Sequence, residues 1–166
     1  MNKRVTKIEL FKQAMNFSAG HFTIYSESER ENLHGHNFYV HAIFEAELME
    51  NGITFNYCIY KKIILDICQF LDESVLLPLK SPHLRIEESD EYIYAFFNSD
   101  KEKIPFLKRD VKLLPVRNTT VEELSHWFLE QLLVHVEENP EHLIQAIEVK
   151  MSFGYGQSGS SYWSKE

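Results

Sequence analysis

Two stretches near the start of the chain decide its fold. They read Phe17-Ser18-Ala19-Gly20-His21 and, twelve residues later, His34-Gly35-His36-Asn37-Phe38-Tyr39-Val40-His41-Ala42-Ile43-Phe44. Aromatic and β-branched residues favour strands, so the second stretch predicts a strand from about His34 to Leu48. Side chains alternate between the two faces of a strand, and His34 and His36 therefore share the apolar face of Phe38. We expect that face to be buried.

His21 is the best candidate for a third imidazole beside these two. It lies near the end of a strand predicted over residues 6–23, on which Phe17 and Ala19 share its face. Three histidines with an open fourth position are the usual arrangement of a catalytic zinc site. Ordinary core or surface histidines are the alternative on this pattern alone. Imidazole also suits iron and nickel, so the pattern does not fix the metal.

These two stretches and three later ones resemble the 6-pyruvoyl-tetrahydropterin synthase family, which includes the 6-carboxy-tetrahydropterin synthases. The later stretches are Leu71-Asp72-Glu73, Asn118-Thr119-Thr120-Val121-Glu122 and Ile147-Glu148-Val149-Lys150-Met151. The resemblance implies an α+β tunnelling fold (T-fold), an antiparallel four-stranded sheet with two helices on one face. It also implies a homo-oligomeric barrel, commonly a hexamer, with active sites at subunit interfaces.

The same resemblance implies a zinc-dependent lyase that acts on 7,8-dihydroneopterin triphosphate or a related pterin. His21, His34 and His36 would be the zinc ligands. Three residues at the start of the second helix match family positions that touch the pterin, namely Thr119, Thr120 and Glu122. Simple capping of that helix is the alternative explanation for them.

The catalytic positions depart from the family pattern. The family commonly has a cysteine before the His-Gly-His run, and here Glu31 stands three residues before His34. This resembles a variant branch with glutamate in that place, whose products include 6-hydroxymethyl-dihydropterin. We expect Glu31 to be the general base, with a solvated loop residue as the alternative. Asp72 is predicted as a supporting acid, but Glu73 replaces the family's histidine.

A third departure concerns the last strand. The family binds the pterin edge there with a glutamate. Met151 is predicted to occupy that position, on an apolar face with Ile147, Val149 and Phe153 that would form the floor of the pocket. Glu122 is the candidate to bind the edge instead, through two parallel hydrogen bonds. Taken together, these departures also support a second hypothesis, a catalytically altered homologue that binds a non-standard ligand or has a regulatory role.

The rest of the chain is organised as one predicted domain, residues 1–166. A first helix is expected from Tyr57 to Leu71, with its buried face formed by Ile59, Ile63, Ile67 and Phe70. A second is expected from Thr120 to about Glu137, begun by a capping box with Glu123 and with Leu124, Phe128 and Leu132 inward. Between them, residues 76–116 are predicted to insert an extra hairpin. A last strand is expected at 144–153, followed by a flexible end over residues 154–159.

Composition restricts the class of protein. The chain has 166 residues, 44% of them hydrophobic, and a formal net charge of −8, which disfavours binding to nucleic acid. Cys58 and Cys68 are too few and too far apart for a disulfide framework and indicate a reducing compartment, so a cytoplasmic location is expected. Residues 1–6 lack an apolar signal core, and no apolar run is long enough to span a membrane.

Overall fold

The computed structural model describes residues 4–165. The helices are α1 (Tyr57–Leu71) and α2 (Val121–Glu138). The strands are β1 (Val5–Leu10), β2 (Asn16–His21), β3 (His34–Glu47), β4 (Ser74–Pro78), β5 (Arg85–Glu88), β6 (Tyr92–Phe97), β7 (Glu102–Leu107), β8 (Val111–Leu114), β9 (Ile144–Phe153) and β10 (Ser158–Ser164). The sequence analysis predicts no signal core over residues 1–6, and residues 1–3 of that segment lie outside the described residues. Within 4–165, no helix is long and apolar enough to cross a membrane.

Seven of the described strands form one mixed sheet in the order β10-β9-β3-β2-β4-β8, with β1 also paired to β3. The central pairings are antiparallel, whereas β4 runs parallel to β2 and β8 runs parallel to β4. The predicted four-stranded antiparallel sheet is therefore not confirmed. The strands predicted at 6–23, 34–48 and 144–153 are present, but β4 and β8 extend the sheet beyond β2, and β10 extends it beyond β9.

The strand predicted over residues 6–23 is divided into β1 and β2. A turn separates them, in which the Met15 amide donates to the Lys12 carbonyl at 2.8 Å. The Val40 amide then donates to the Met15 carbonyl at 2.9 Å and ties the turn to β3. As a result, the long strand β3 pairs with β1 along one half and with β2 along the other.

The register between β2 and β3 places the histidines. Phe17 pairs with Phe38, and His21 pairs with His34 four residues farther along β2. Phe17 and Phe38 are fully buried, and their rings stack with centroids 5.1 Å apart. Because side chains alternate, this register puts His21, His34 and His36 on the same side of the sheet as the buried rings.

Both helices pack against this side of the sheet. In α2, Leu124, Phe128 and Leu132 are fully buried, as predicted. In α1, the buried residues are Tyr60, Ile64, Cys68 and Leu71. The predicted stripe, Ile59, Ile63, Ile67 and Phe70, is therefore wrong by one position, and Phe70 is 51% exposed. Both stripes are apolar at helical spacing, so periodicity could not choose between them.

The start of α2 is fixed largely as the sequence predicts. Thr120 is its N-cap, and its Oγ1 accepts a hydrogen bond from the Glu123 amide at 3.4 Å. Glu123 does not complete the predicted capping box, because its carboxylate accepts instead from the Arg117 amide at 2.7 Å. The carboxylate therefore anchors the segment before the helix to the first turn.

Residues 76–116 contain more than the predicted hairpin. Strands β5, β6 and β7 form a separate three-stranded antiparallel sheet, which we call the insertion sheet. Its inner side chains join a second hydrophobic cluster, consisting of Phe22, Ile24, Leu77, Leu84, Ile93, Ala95, Phe97 and Val111. Phe22 and Ile24 lie one and three residues after His21, so the insertion sheet packs against the segment beside the histidines.

The C-terminal part of the chain is also more ordered than predicted. Gly154 and Gly156 have φ values of +65° and +89°, a conformation that glycine adopts without strain. The turn that they allow returns the chain along β9 as strand β10. Ser158 and Gly159, predicted to be part of a flexible end, therefore belong to the sheet.

Candidate metal centre

Three imidazoles converge at the end of the β2–β3 pair. The ligand nitrogens of His21, His34 and His36 all lie within 4.8 Å of one another. The Nε2 atoms of His34 and His36 are 3.0 Å apart. His21 is 2% exposed, and the other two are partly exposed. The structure thus brings the three predicted histidines together in a half-open cluster with the geometry of a small cation site.

Backbone carbonyls orient two of these rings. Nδ1 of His21 donates to the Thr119 carbonyl at 2.8 Å, and Nδ1 of His34 donates to the Asn32 carbonyl at 2.8 Å. In the neutral form of both rings this leaves the lone pair on Nε2, which in His34 faces Nε2 of His36 at 3.0 Å. Hydrogen bonding of the second ring nitrogen is how proteins commonly fix the tautomer of a metal-binding histidine.

The Nε2 atom of His21 has no partner. Among residues 4–165 it is the one buried side-chain nitrogen or oxygen without a hydrogen bond. Burial, assisted by the neighbouring His34, lowers the pKa of His21 to about 4, so its ring is neutral at neutral pH. Buried polar atoms are rarely left unpaired in native proteins, and a metal ion would satisfy this one. The donor set therefore fits a metal such as zinc.

Phe153, rather than Met151, forms the apolar wall of the site. Met151 is fully buried in the core and pairs across the sheet with Val40. Phe153 lies two residues farther along the same side of β9, and its ring stacks on His36 with centroids 4.2 Å apart. This contact agrees with the predicted apolar face, on which Phe153 lies together with Met151.

Glu31 lies on the loop between β2 and β3, close to the histidines. Its carboxylate accepts from the Thr23 amide at 2.9 Å and from the Tyr25 hydroxyl at 3.2 Å. Partial burial acts to raise the pKa of Glu31, but these hydrogen bonds and the nearby His34 outweigh it, and the net pKa is lowered. The structure therefore places a fixed, ionised carboxylate at the edge of the cluster.

The three residues predicted to touch a pterin have different roles in the structure. Thr119 is fully buried, with its hydroxyl bound to the Phe22 carbonyl at 3.1 Å and its own carbonyl bound to His21. Thr120 caps α2. The side chain of Glu122 is exposed in the first turn of that helix. Of the three, Glu122 therefore has the side chain that is free to reach a ligand.

Asp72 and Glu73 bind strand β2 at Ser18. The Asp72 carboxylate accepts from the Ser18 amide at 2.7 Å and so ties the end of α1 to β2. The next amide, from Glu73, donates to the Ser18 carbonyl at 2.8 Å. Glu73 has a φ of 54° and is exposed. Among the described residues, none of the contacts of Asp72 involves a histidine of the cluster.

A cavity of about 690 Å³ borders His36. Its lining includes Ser18, Gly20, Gly35, Asn37 and Glu73. The Ser18 hydroxyl donates to Asn37 Oδ1 at 2.5 Å. By strand alternation, Ser18 and Asn37 point to the side of the sheet that the helices leave open. The sequence analysis did not select these residues, although alternation along β2 and β3 would have grouped them.

The profile of the family described as 6-pyruvoyl tetrahydropterin synthase matches residues 10–153 of the chain. The chain belongs to this family. A protein of Methanocaldococcus jannaschii, provisionally named 6-carboxy-5,6,7,8-tetrahydropterin synthase, is 29% identical over 149 residues, which are 89% of either chain. A Pyrococcus abyssi protein with the same provisional name is 29% identical over 124 residues, 74% of this chain and 73% of its own.

Solved structures of the 6-pyruvoyl tetrahydropterin synthase family share the fold. The Plasmodium falciparum enzyme superposes with a TM-score of 0.90 at 25% identity, over 99% of this chain and 100% of its own. The Plasmodium vivax enzyme has a TM-score of 0.90 at 23% identity, over 98% and 99%. The α+β architecture with two helices on one face of the sheet is therefore the T-fold of this family.

Proposed function

We propose that this member of the 6-pyruvoyl tetrahydropterin synthase family is a zinc-dependent lyase that acts on 7,8-dihydroneopterin triphosphate or a related pterin. The observation that carries the proposal is the buried, unpartnered Nε2 of His21, grouped with the ring nitrogens of His34 and His36. Membership in a tetrahydropterin synthase family supports a pterin as the substrate. The carboxylate of Glu31 beside the cluster adds a base.

The metal would be held by the three imidazoles. Three neutral nitrogen donors with an open position suit catalytic zinc, and backbone acceptors already hold two of the rings in the tautomer that presents Nε2. When bound there, zinc would supply Lewis-acid polarisation of a substrate hydroxyl or carbonyl oxygen. Phe153 packs on His36 and forms an apolar wall on that side of the cluster.

Glu31 is the proposed general base. Its lowered pKa keeps the carboxylate ionised at neutral pH, and the Thr23 amide and the Tyr25 hydroxyl hold it in place. From there it would accept a proton from a substrate carbon next to the polarised group. Structures of the Plasmodium vivax protein with one glutamate replaced by cysteine or alanine are described as catalytic-residue mutants. We propose that Glu31 has the corresponding role here.

The remaining predicted residues have supporting roles in this proposal. Thr119 orients His21 through its carbonyl, and Thr120 holds the first turn of α2. Glu122 would bind the amino-pyrimidine edge of the pterin through two parallel hydrogen bonds. We assign Asp72 to holding β2 against α1. We also propose that the protein forms a homo-oligomer with its active sites at subunit interfaces, and that it is located in the cytoplasm.

A catalytically altered homologue is the second candidate function. Two observations favour it: Glu73 replaces the family's histidine, and the apolar Phe153 occupies the wall beside His36. Such a protein would keep the metal and the fold but bind a non-standard ligand or have a regulatory role. It predicts zinc binding without turnover of the standard pterin.

Turnover of the substrate separates these candidates. Purified, zinc-loaded protein is incubated with 7,8-dihydroneopterin triphosphate, and the products are resolved by mass spectrometry. The lyase proposal predicts a 6-hydroxymethyl, 6-pyruvoyl or 6-carboxy pterin. Glu31→Gln should abolish product formation while zinc is retained, whereas Glu29→Gln, at an exposed position on the same loop, should not. No product from the zinc-loaded wild type would contradict the lyase proposal and favour the altered homologue.

A further inference from the structure

Arg30 connects the insertion sheet to the loop that carries Glu31. Its guanidinium lies between two aromatic rings, 5.1 Å from the centroid of Phe22 and 5.5 Å from that of Phe97. Nε and Nη2 both donate to the Glu102 carboxylate on β7, Nε at 3.1 Å. The Arg30 side chain is 17% exposed. Phe97 and Glu102 belong to the insertion sheet, so most of the contacts that hold Arg30 come from there.

The third nitrogen of the Arg30 guanidinium, Nη1, binds the loop that carries Glu31. Nη1 donates to the backbone carbonyl of Glu31 at 2.9 Å. The Glu31 amide donates to the Thr23 carbonyl at 2.9 Å, and the Thr23 amide donates to the Glu31 carboxylate. Glu31 is therefore held at its amide, its carbonyl and its side chain, and Arg30 supplies the contact at the carbonyl.

The neighbouring residue extends this arrangement to the metal cluster. The Asn32 carbonyl accepts from Nδ1 of His34 at 2.8 Å, so the same short segment sets the ring of one proposed ligand. A planar guanidinium suits this place because its fork of donors can bind a carboxylate and a carbonyl at once while its faces pack on rings. Neither lysine nor methionine could make all of these contacts.

We infer that Arg30 is a positioning residue through which the insertion sheet holds Glu31 in its working place. The insertion sheet fixes the guanidinium, the guanidinium fixes the Glu31 backbone, and the carboxylate is thereby kept at the histidines. The inference rests on the proposed function, in which Glu31 is the base. It gives residues 76–116 a role in the chemistry although they contribute no group to the cluster.

Kinetics of zinc-loaded variants test this role. Arg30→Met should lower kcat roughly 10- to 100-fold with KM unchanged, because the base is misplaced while the pterin-binding groups stay intact. Arg30→Lys should recover part of the loss. Arg85→Met is the matched control: Arg85 lies over Phe96 at 3.9 Å and binds Asp100, all on the outer side of the insertion sheet. That variant should keep the wild-type kcat.

A double-mutant comparison and hydrogen exchange separate positioning from general stability. In the Glu31→Gln background, Arg30→Met should cause no further loss of the residual rate. In the zinc-loaded single variant, the Glu31 amide should exchange at least about tenfold faster, while amides of the central sheet should be unchanged. If Arg30→Met fails to fold, Glu102→Ala takes its place, because it keeps the Arg30 side chain but removes its carboxylate partner. It should likewise cause no further loss in the Glu31→Gln background and speed exchange of the Glu31 amide.

Three results would contradict the inference. A wild-type kcat in Arg30→Met or, if that variant fails to fold, in Glu102→Ala would overturn the inference, as would a further loss in the Glu31→Gln background. Unchanged exchange at Glu31 would also overturn it. If the wild type shows no turnover, the proposed function fails, and hydrogen exchange still decides whether Arg30 holds the loop.

Discussion

Replacing Gly159 by alanine should disturb the first turn of α2, and through it the orientation of His21. Gly159 lies on β10, directly under this turn. An added Cβ would lie 3.1 Å from the backbone nitrogen of Glu122, 3.1 Å from the carbonyl carbon of Val121 and 3.1 Å from its Cγ2. Two of these atoms belong to the helix backbone, so the turn itself has to move by a few tenths of an ångström.

The expected cost follows from this crowding. Overpacking of this kind destabilises proteins by about 1–3 kcal/mol. For a chain of 166 residues, each kcal/mol lowers Tm by roughly 2–4 °C. The displaced turn follows Thr119, whose carbonyl binds Nδ1 of His21. We therefore also expect weaker zinc binding, by about tenfold, because the hydrogen-bond partners of metal-binding histidines typically contribute 10- to 100-fold to metal affinity.

The assay is thermal unfolding of the metal-free protein, followed by competition of wild type and variant for zinc against a chelator. Protein concentration is kept constant, since oligomerisation shifts Tm. Ser160→Ala, at an exposed position on the same strand, is the control and should match the wild type. A Gly159→Ala protein with wild-type Tm and zinc affinity would refute the reasoning that β10 supports the helix start and thereby the metal centre.

Three further predictions concern the core and the buried titratable groups. Burial raises the pKa of Cys68 to about 12, so a thiol reagent at neutral pH should modify the exposed Cys58 and reach Cys68 only after unfolding; labelling of both at once would contradict this. The pKa of His21 falls from 6.5 to about 4 on folding, so the unfolded chain takes up the proton first, and the metal-free protein should lose stability as pH falls from 6.5 to 4. A urea midpoint that rises as the pH falls from 6.5 to 4 would contradict this prediction. Phe128→Ala should cost about 3–5 kcal/mol in urea unfolding, because the ring is fully buried and stacks on Phe17; a loss below about 1 kcal/mol would show that the core does not depend on it.

The arrangement of the histidines could be predicted because it depends on local rules. Strand alternation links His34 and His36 to the face of Phe38, and it links His21 to Phe17. A single antiparallel pairing then brings the two strands together in register. The cap at Thr120 is equally local, since it needs only a hydroxyl at the residue before the helix.

The features that the sequence did not predict depend on contacts between distant residues. Two apolar stripes of α1 have helical spacing, and packing against the sheet decides that Tyr60 rather than Ile59 is buried. The parallel strands β4 and β8 find their partners through tertiary structure, where no turn signal marks the pairing. Arg30 meets Glu102 72 positions later in the chain, a separation that no local pattern reveals.

The metal content of purified variants tests the account most directly. Wild type, His21→Ala and His41→Ala are loaded with zinc, passed through a desalting column and measured by elemental analysis. His41 is a suitable control because it binds Glu9 at 2.9 Å and lies on the other face of β3. We predict one zinc per chain in the wild type and in His41→Ala, and little in His21→Ala. Equal zinc in His21→Ala, or none in the wild type, would contradict a metal centre at these histidines.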